Sequence, residues 1–164
     1  MMLVLLLQFL LALTLVSSEE SSQQQPPTTT ALLTASGEGD HQRVKYLLEV
    51  LKVDVNELSP DGETALHAAA IRGDPETTRL LLEHGAVVDA RSPSGTQRSM
   101  TPLQWACYGG HEGMITLLLK AGADPWLKDE TGMTAFDMAI ESGHDNVLHL
   151  LEGSWREEKQ REEL

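Results

Sequence analysis

The stretch from Asp61 to Ala90, DGETALHAAAIRGDPETTRLLLEHGAVVDA, constrains this chain most, because its pattern returns twice downstream and once, degraded, upstream. Thr101 opens TPLQWACYGGHEGMITLLLKAGADP and Thr134 opens TAFDMAIESGHDNVLHLLEG, so the threonines fall 37 and then 33 residues apart, and Gly73, Gly110 and Gly143 keep the same spacings. Thr30 leads ALLTASGEGDHQRVKYLLE, 34 residues before Thr64. Within the unit, Thr64 is placed to cap a short helix through Ala65, Leu66, Ala68, Ala69 and Ile71, and Gly73 lets it stop. Asp74 then caps a second helix with Pro75 at its first position, and Leu80, Leu81 and Leu82 give it an apolar stripe that ends at Gly85. One such pair cannot bury its own apolar face, so neighbouring pairs must stack, through alanine-rich first helices and the leucine stripes of second ones. The expectation is an all-α solenoid.

A period near 33 with a T-P-L-H-x-A core, carried by Thr64-Ala65-Leu66-His67 and Thr101-Pro102-Leu103, resembles the ankyrin repeat. The resemblance covers Thr30 to about Gly153 and divides it into four helix-turn-helix units, 30–58, 59–91, 92–128 and 129–153, joined by short β-hairpin loops. Content of 41% apolar residues with only seven aromatics suits thin Ala/Leu layers better than a large aromatic core. The resemblance implies a non-enzymatic protein–protein adaptor, with a concave surface of hairpin tips and first helices. In this chain those positions are Pro60, Asp61, Glu63, Ile71, Arg72, Arg91, Ser94, Arg98, Tyr108 and Met133.

The departures from the pattern are informative. The first unit has no D-x-x-G before Thr30 and one extra residue before Val53-Asp54-Val55-Asn56, as suits a capping repeat, with Asp40, Gln42, Arg43 and Lys45 on its solvated outer face. In the second unit Asp61-Gly62 signals a hairpin whose exposed tip carries Asp61 and Glu63. His67 holds the family's histidine position, whose implied role is to tether backbone; Gln104 and Asp137 replace it, which puts that tether in question in the third and fourth units. Between Gly95 and Thr101 lie five residues, Thr96, Gln97, Arg98, Ser99 and Met100, where the neighbouring units have one. Such an insertion is expected to project as a finger, and it adds Thr96, Gln97 and Arg98 to the candidate binding residues; a drifted loop without a partner is the alternative.

Catalytic constellations are scarce. Cys107 and His111 are four apart, but Cys107 takes a core-facing position, and Gly109-Gly110 breaks the helical register between thiol and base. A buried thiol is expected, with a thiol-dependent enzyme as the rival. His144 and His149 have poor ligand spacing, and the chain has no C-x-x-C, H-E-x-x-H or phosphate-cradling glycine loop, so neither metal nor cofactor is expected. Trp105 is expected to pack between units, while Trp126, standing where Asn56 and Asp89 stand, is expected near the surface, and Trp155 could lid the open end. Of the formal charge of −13, −2 lies before Thr30, −10 between Thr30 and Gly153 and −1 beyond. An evenly acidic surface repels phosphate backbones, so the expected partner is another protein and not nucleic acid. A monomer is expected.

The two ends carry addresses. Met1 to Val16, MMLVLLLQFLLALTLV, followed by Ser17-Ser18, resembles a secretory signal peptide over 1–18, although it lacks Lys and Arg. Its 16 residues fall short of the roughly 20 that cross a bilayer comfortably, but an uncleaved anchor, which would bring a membrane into contact, is the alternative. Residues 19–29 form a polar, Pro-containing linker. The charged tail 154–164 ends in Arg161-Glu162-Glu163-Leu164, a close variant of the K-D-E-L retrieval signal. Leader and retrieval signal together point to the endoplasmic reticulum lumen, with a membrane-anchored cytosolic scaffold as the rival.

Overall fold

The computed structural model describes residues 28–91 and 99–153. The helices are α1 (Thr28–Glu38), α2 (His41–Glu49), α3 (Ala65–Arg72), α4 (Pro75–Glu83), α5 (Pro102–Tyr108), α6 (Glu112–Lys120) and α7 (Ala135–Glu141), and a 3-10 turn, Asp145–Val147, leads into a helix over 148–153. They form two layers. The first helices α1, α3, α5 and α7 pack in succession, and the second helices α2, α4 and α6 do the same behind them. Among the described residues there are no strands: the loops before α3 and α7 are tight turns, closed by Ser59 N–H donating to Glu63 O at 2.8 Å and Asp129 N–H donating to Met133 O at 2.9 Å.

The caps follow the sequence except in the first unit. Thr101 and Thr134 accept from the N–H groups of Gln104 and Asp137, both at 3.3 Å, and Pro75 and Pro102 occupy first-turn positions where no N–H is needed. Asp74 accepts from Glu76 N–H at 3.1 Å, from the Thr77 hydroxyl at 2.7 Å and from His41 Nε2 at 2.7 Å. Burial works against its charge, but these bonds from Thr77, His41 and Glu76 outweigh it and hold the carboxyl below the usual aspartate range. Thr30 does not lead its helix as the repeat pattern suggested. Helix α1 starts two residues earlier, at Thr28, so Thr30 lies inside its first turn.

The core runs unbroken through the stack. Ala35, Ala69, Ala70, Ala106 and Ala139 are fully buried in the first-helix layer, small enough to let those helices approach, while Val44, Leu81, Ile115, Leu118 and Val147 fill the second layer. Side chains also stitch each loop to the next. Asn56 donates to Gly85 O at 2.9 Å and accepts from Val87 N–H at 2.8 Å, and Asp89 accepts from Asp124 N–H at 3.2 Å. Trp126, at the equivalent position, is exposed. The polar residues Asp40, Gln42, Arg43 and Lys45 are exposed as expected for a capping unit.

Candidate protein-docking site

The histidine position proves to be a joint between units. His67 is fully buried; its Nε2–H donates to Met100 O at 3.1 Å, which leaves Nδ1 to accept from Thr64 N–H at 3.1 Å. Burial holds this imidazole below its ordinary pKa, so it stays neutral, in the one tautomer that serves both bonds. Gln104 does the same work, contrary to the doubt that the substitution raised. Its Oε1 accepts from Thr101 N–H at 2.7 Å, and its Nε2 donates to Leu127 O at 3.0 Å and Met133 O at 2.8 Å. A primary amide carries acceptor and donor at about the same reach as the two ring nitrogens. Asp137 keeps only the acceptor half, taking Thr134 N–H at 2.8 Å. Those bonds from the Thr134 backbone and hydroxyl hold its carboxyl below the usual range.

These joints set the first helices side by side and turn one row of their residues outward. Ile71 at the end of α3 is 44% exposed, Tyr108 at the end of α5 is 50% and Ile140 near the end of α7 is 50%. Between the third and fourth units an open hollow of ≈ 320 Å³ is lined by Met100, Trp105, Tyr108, Met138, Glu141 and Ser142. Met100 and Met138 are buried; Trp105 is half-buried and meets Tyr108 edge to face, with ring centroids 6.0 Å apart and planes at 83°. Trp105 therefore packs as expected on one side and faces the hollow on the other.

The remaining candidate residues divide. Pro60 and Asp61 are exposed at the turn, but Glu63 is half-buried, with its Oε1 shielded and without a hydrogen-bond partner among the described residues. Burial, and then the neighbouring Asp61, push its carboxyl above the usual glutamate range. Arg72 and Arg91 are exposed, yet each guanidinium is engaged across units, with Gly37 O at 3.1 Å and Lys128 O at 2.9 Å. Met133 is half-buried against the core. The expected finger is shortened at its base, because Ser99 and Met100 are buried, with Met100 serving as core and as the acceptor for His67. Ser94, Thr96, Gln97, Arg98, Trp155 and the Arg161-Glu162-Glu163-Leu164 terminus lie outside the described residues. Sequence reasoning missed Met100, Ile140 and Glu141. The register held the signal, since Tyr108 and Glu141 each lie seven residues after their capping threonine, as Ile71 does.

The thiol–imidazole pair does not assemble. Cys107 is fully buried, and burial pushes its thiol up to about 12, while His111 turns away to donate from Nε2 to Ile71 O at 3.1 Å. Among the described residues no cluster of His, Cys, Asp and Glu could hold a metal ion.

Comparison with known proteins agrees with the geometry. A family model of three ankyrin repeats matches residues 4–92, and one of many ankyrin copies matches 66–119 and 103–152. The chain belongs to the ankyrin-repeat family. The palmitoyltransferase Hip14 of Drosophila melanogaster is 41% identical over 101 residues, 62% of this chain and 15% of that protein. The human palmitoyltransferase ZDHHC13 is 35% identical over 108 residues, 66% of this chain and 17% of that protein. Mouse protein phosphatase 1 regulatory subunit 27 is 29% identical over 117 residues, 71% of this chain and 73% of that protein. This ankyrin-repeat chain thus spans under a fifth of the palmitoyltransferases it matches and most of the regulatory subunit.

Proposed function

We propose that this chain is a non-enzymatic adaptor that holds a partner protein on its first-helix face, in the lumen of the endoplasmic reticulum. The observation that carries the adaptor reading is the row of Ile71, Trp105, Tyr108 and Ile140, apolar or aromatic side chains left open at the ends and outer faces of successive first helices. Similarity to a phosphatase regulatory subunit along most of its length supports a binding role, whereas the palmitoyltransferases share only a small part of theirs. A thiol enzyme at Cys107 would need a reachable thiolate, and burial denies both access and ionisation. The lumenal address rests on the leader and the Arg161–Leu164 terminus. The leader departs from the signal-peptide pattern in lacking Lys and Arg, and the second reading is a cytosolic scaffold tethered by an uncleaved anchor.

A photo-crosslinking residue at Tyr108 tests the docking face against one at Arg79, exposed on α4 in the second layer. Capture from cells at Tyr108 and not at Arg79 is expected. Equal capture at both positions, or capture at Arg79 alone, would move the site to the other side of the molecule.

A further inference from the structure

We propose that the hollow between the third and fourth repeats takes a large aliphatic side chain from an amphipathic helix of the partner protein, laid across the first helices with its apolar residues seven apart. The proposal rests on the docking reading above and names the partner's chemistry. The lining selects an uncharged anchor. Met100 and Met138 are buried, and their flexible, polarizable thioethers repack around an aliphatic guest. Trp105 and Tyr108 add two aromatic rings. The polar members of the lining are already engaged: Glu141 has an interaction of its own within the chain, and the Ser142 hydroxyl donates to Met138 O at 2.8 Å. A charged side chain entering here would shed its water against mostly apolar walls, whereas an aliphatic one loses nothing polar. The surrounding charge does not alter that choice, because exposed Arg91 and Lys128 share the loops before the first helices with exposed Asp61 and Glu130, so both signs are present.

Spacing selects the helix. Ile71, Tyr108 and Ile140 are exposed at or near the C-terminal ends of α3, α5 and α7, which pack in succession. The axes of packed helices lie about 8–10 Å apart. Seven residues of α-helix advance about 10.5 Å and return nearly to the same face, so residues i, i+7 and i+14 of one partner helix meet three successive units. A β-strand presents the same side after two or four residues, about 7 or 13 Å, and misses that step. A polyproline helix repeats after three residues, about 9 Å, and matches the step, but its prolines dock against open ring faces. Trp105 and Tyr108 stand at 83°, edge to face, so the edge of one ring occupies the face of the other.

The test uses the full chain with three fluorescein-labelled peptides of matched length and no net charge, read by anisotropy. The first is an alanine-rich helix with three leucines seven apart; the second has the same residues with the leucines five apart, which scatters them around the helix; the third repeats leucine and proline every three residues. The first is expected to bind about tenfold more tightly than either of the others, with an affinity that changes less than about twofold between low and high salt. Tyr108→Ala and Ile140→Ser are each expected to weaken it about tenfold, while Glu76→Gln on the second-helix layer leaves it unchanged. Thermal melts followed by circular dichroism confirm that each variant is folded, which the exposure of Tyr108 and Ile140 permits. Equal binding of the peptide with leucines five apart, or of the proline peptide, overturns the helix. Indifference to Tyr108→Ala removes the anchor from the hollow, indifference to Ile140→Ser overturns the crossing of successive units, and a tenfold loss in high salt overturns the uncharged anchor. Failure of all three peptides while crosslinking at Tyr108 still captures a partner removes the helix and leaves the docking face standing. Failure of both removes the docking face as well.

Discussion

His67 and Gln104 show how two unlike side chains meet one structural demand. Each must accept from its own capping threonine and donate across to the next unit, and a neutral imidazole or a primary amide can do both. His67→Gln should therefore stay within about 1 kcal/mol of the parent, whereas His67→Leu, which leaves Thr64 N–H and Met100 O unpaired, should cost about 1–3 kcal/mol in urea titrations. The imidazole also makes stability depend on pH. Its folded pKa lies below the unfolded value, so the native state refuses a proton that the unfolded chain takes up; stability is complete above the unfolded value of about 6.5 and falls as pH drops below it. His67→Gln should flatten that part of the curve in thermal melts run across the same range. Cys107 makes a simpler prediction: with its thiol buried and its pKa pushed up to about 12, iodoacetamide should label it only after denaturant is added.

At the scale of elements, the contact between one helix pair and the next decides what a substitution costs. Gly73 ends α3 at φ +75°, and a methyl there would meet the His111 ring at 2.5 Å, the ring that holds Ile71 O. Gly85 has a similar φ of +87° with open space around it. Gly85→Ala should cost about 1 kcal/mol, the left-handed strain alone, and Gly73→Ala distinctly more, since it also expels the histidine that joins two units. Equal urea midpoints for the two variants would show that the His111 contact contributes nothing. Leu118, fully buried on α6, belongs to a layer and not to a single helix. Leu118→Ala should cost about 3 kcal/mol and loosen the fourth unit too, visible as lost hydrogen-exchange protection in α7.

At the scale of the whole molecule, the proposed adaptor role and the proposed address can be tested separately. The four terminal residues Arg161 to Leu164 belong to no apolar pattern, so deleting them should leave the melting temperature of the chain unchanged while altering where it accumulates. The truncated protein should appear in the medium, and the full chain should stay in cells with a new amino terminus at Glu19. If N-terminal sequencing finds Met1 on both and neither reaches the lumen, the tethered cytosolic scaffold replaces the lumenal adaptor. Among the described residues no helix is long and apolar enough to cross a membrane, so a tether would have to come from outside them.

The sequence by itself determined the repeat, its caps and its layers, because these follow from local rules: a threonine or aspartate before a helix, proline in its first turn, glycine after it, and leucines on one stripe. The buried state of Cys107 was legible for the same reason, being a matter of register. What only the tertiary structure decided lies between units. Whether Gln104 could replace a histidine depended on where Leu127 O and Met133 O would stand, and whether Met100 was finger or core depended on the carbonyl that His67 reaches 33 residues away. The hollow needed both at once. It forms where Trp105 and Tyr108 from one unit meet Met138 and Glu141 from the next, and a spacing rule written within one unit carries no information about which side chains two stacked helices bring face to face.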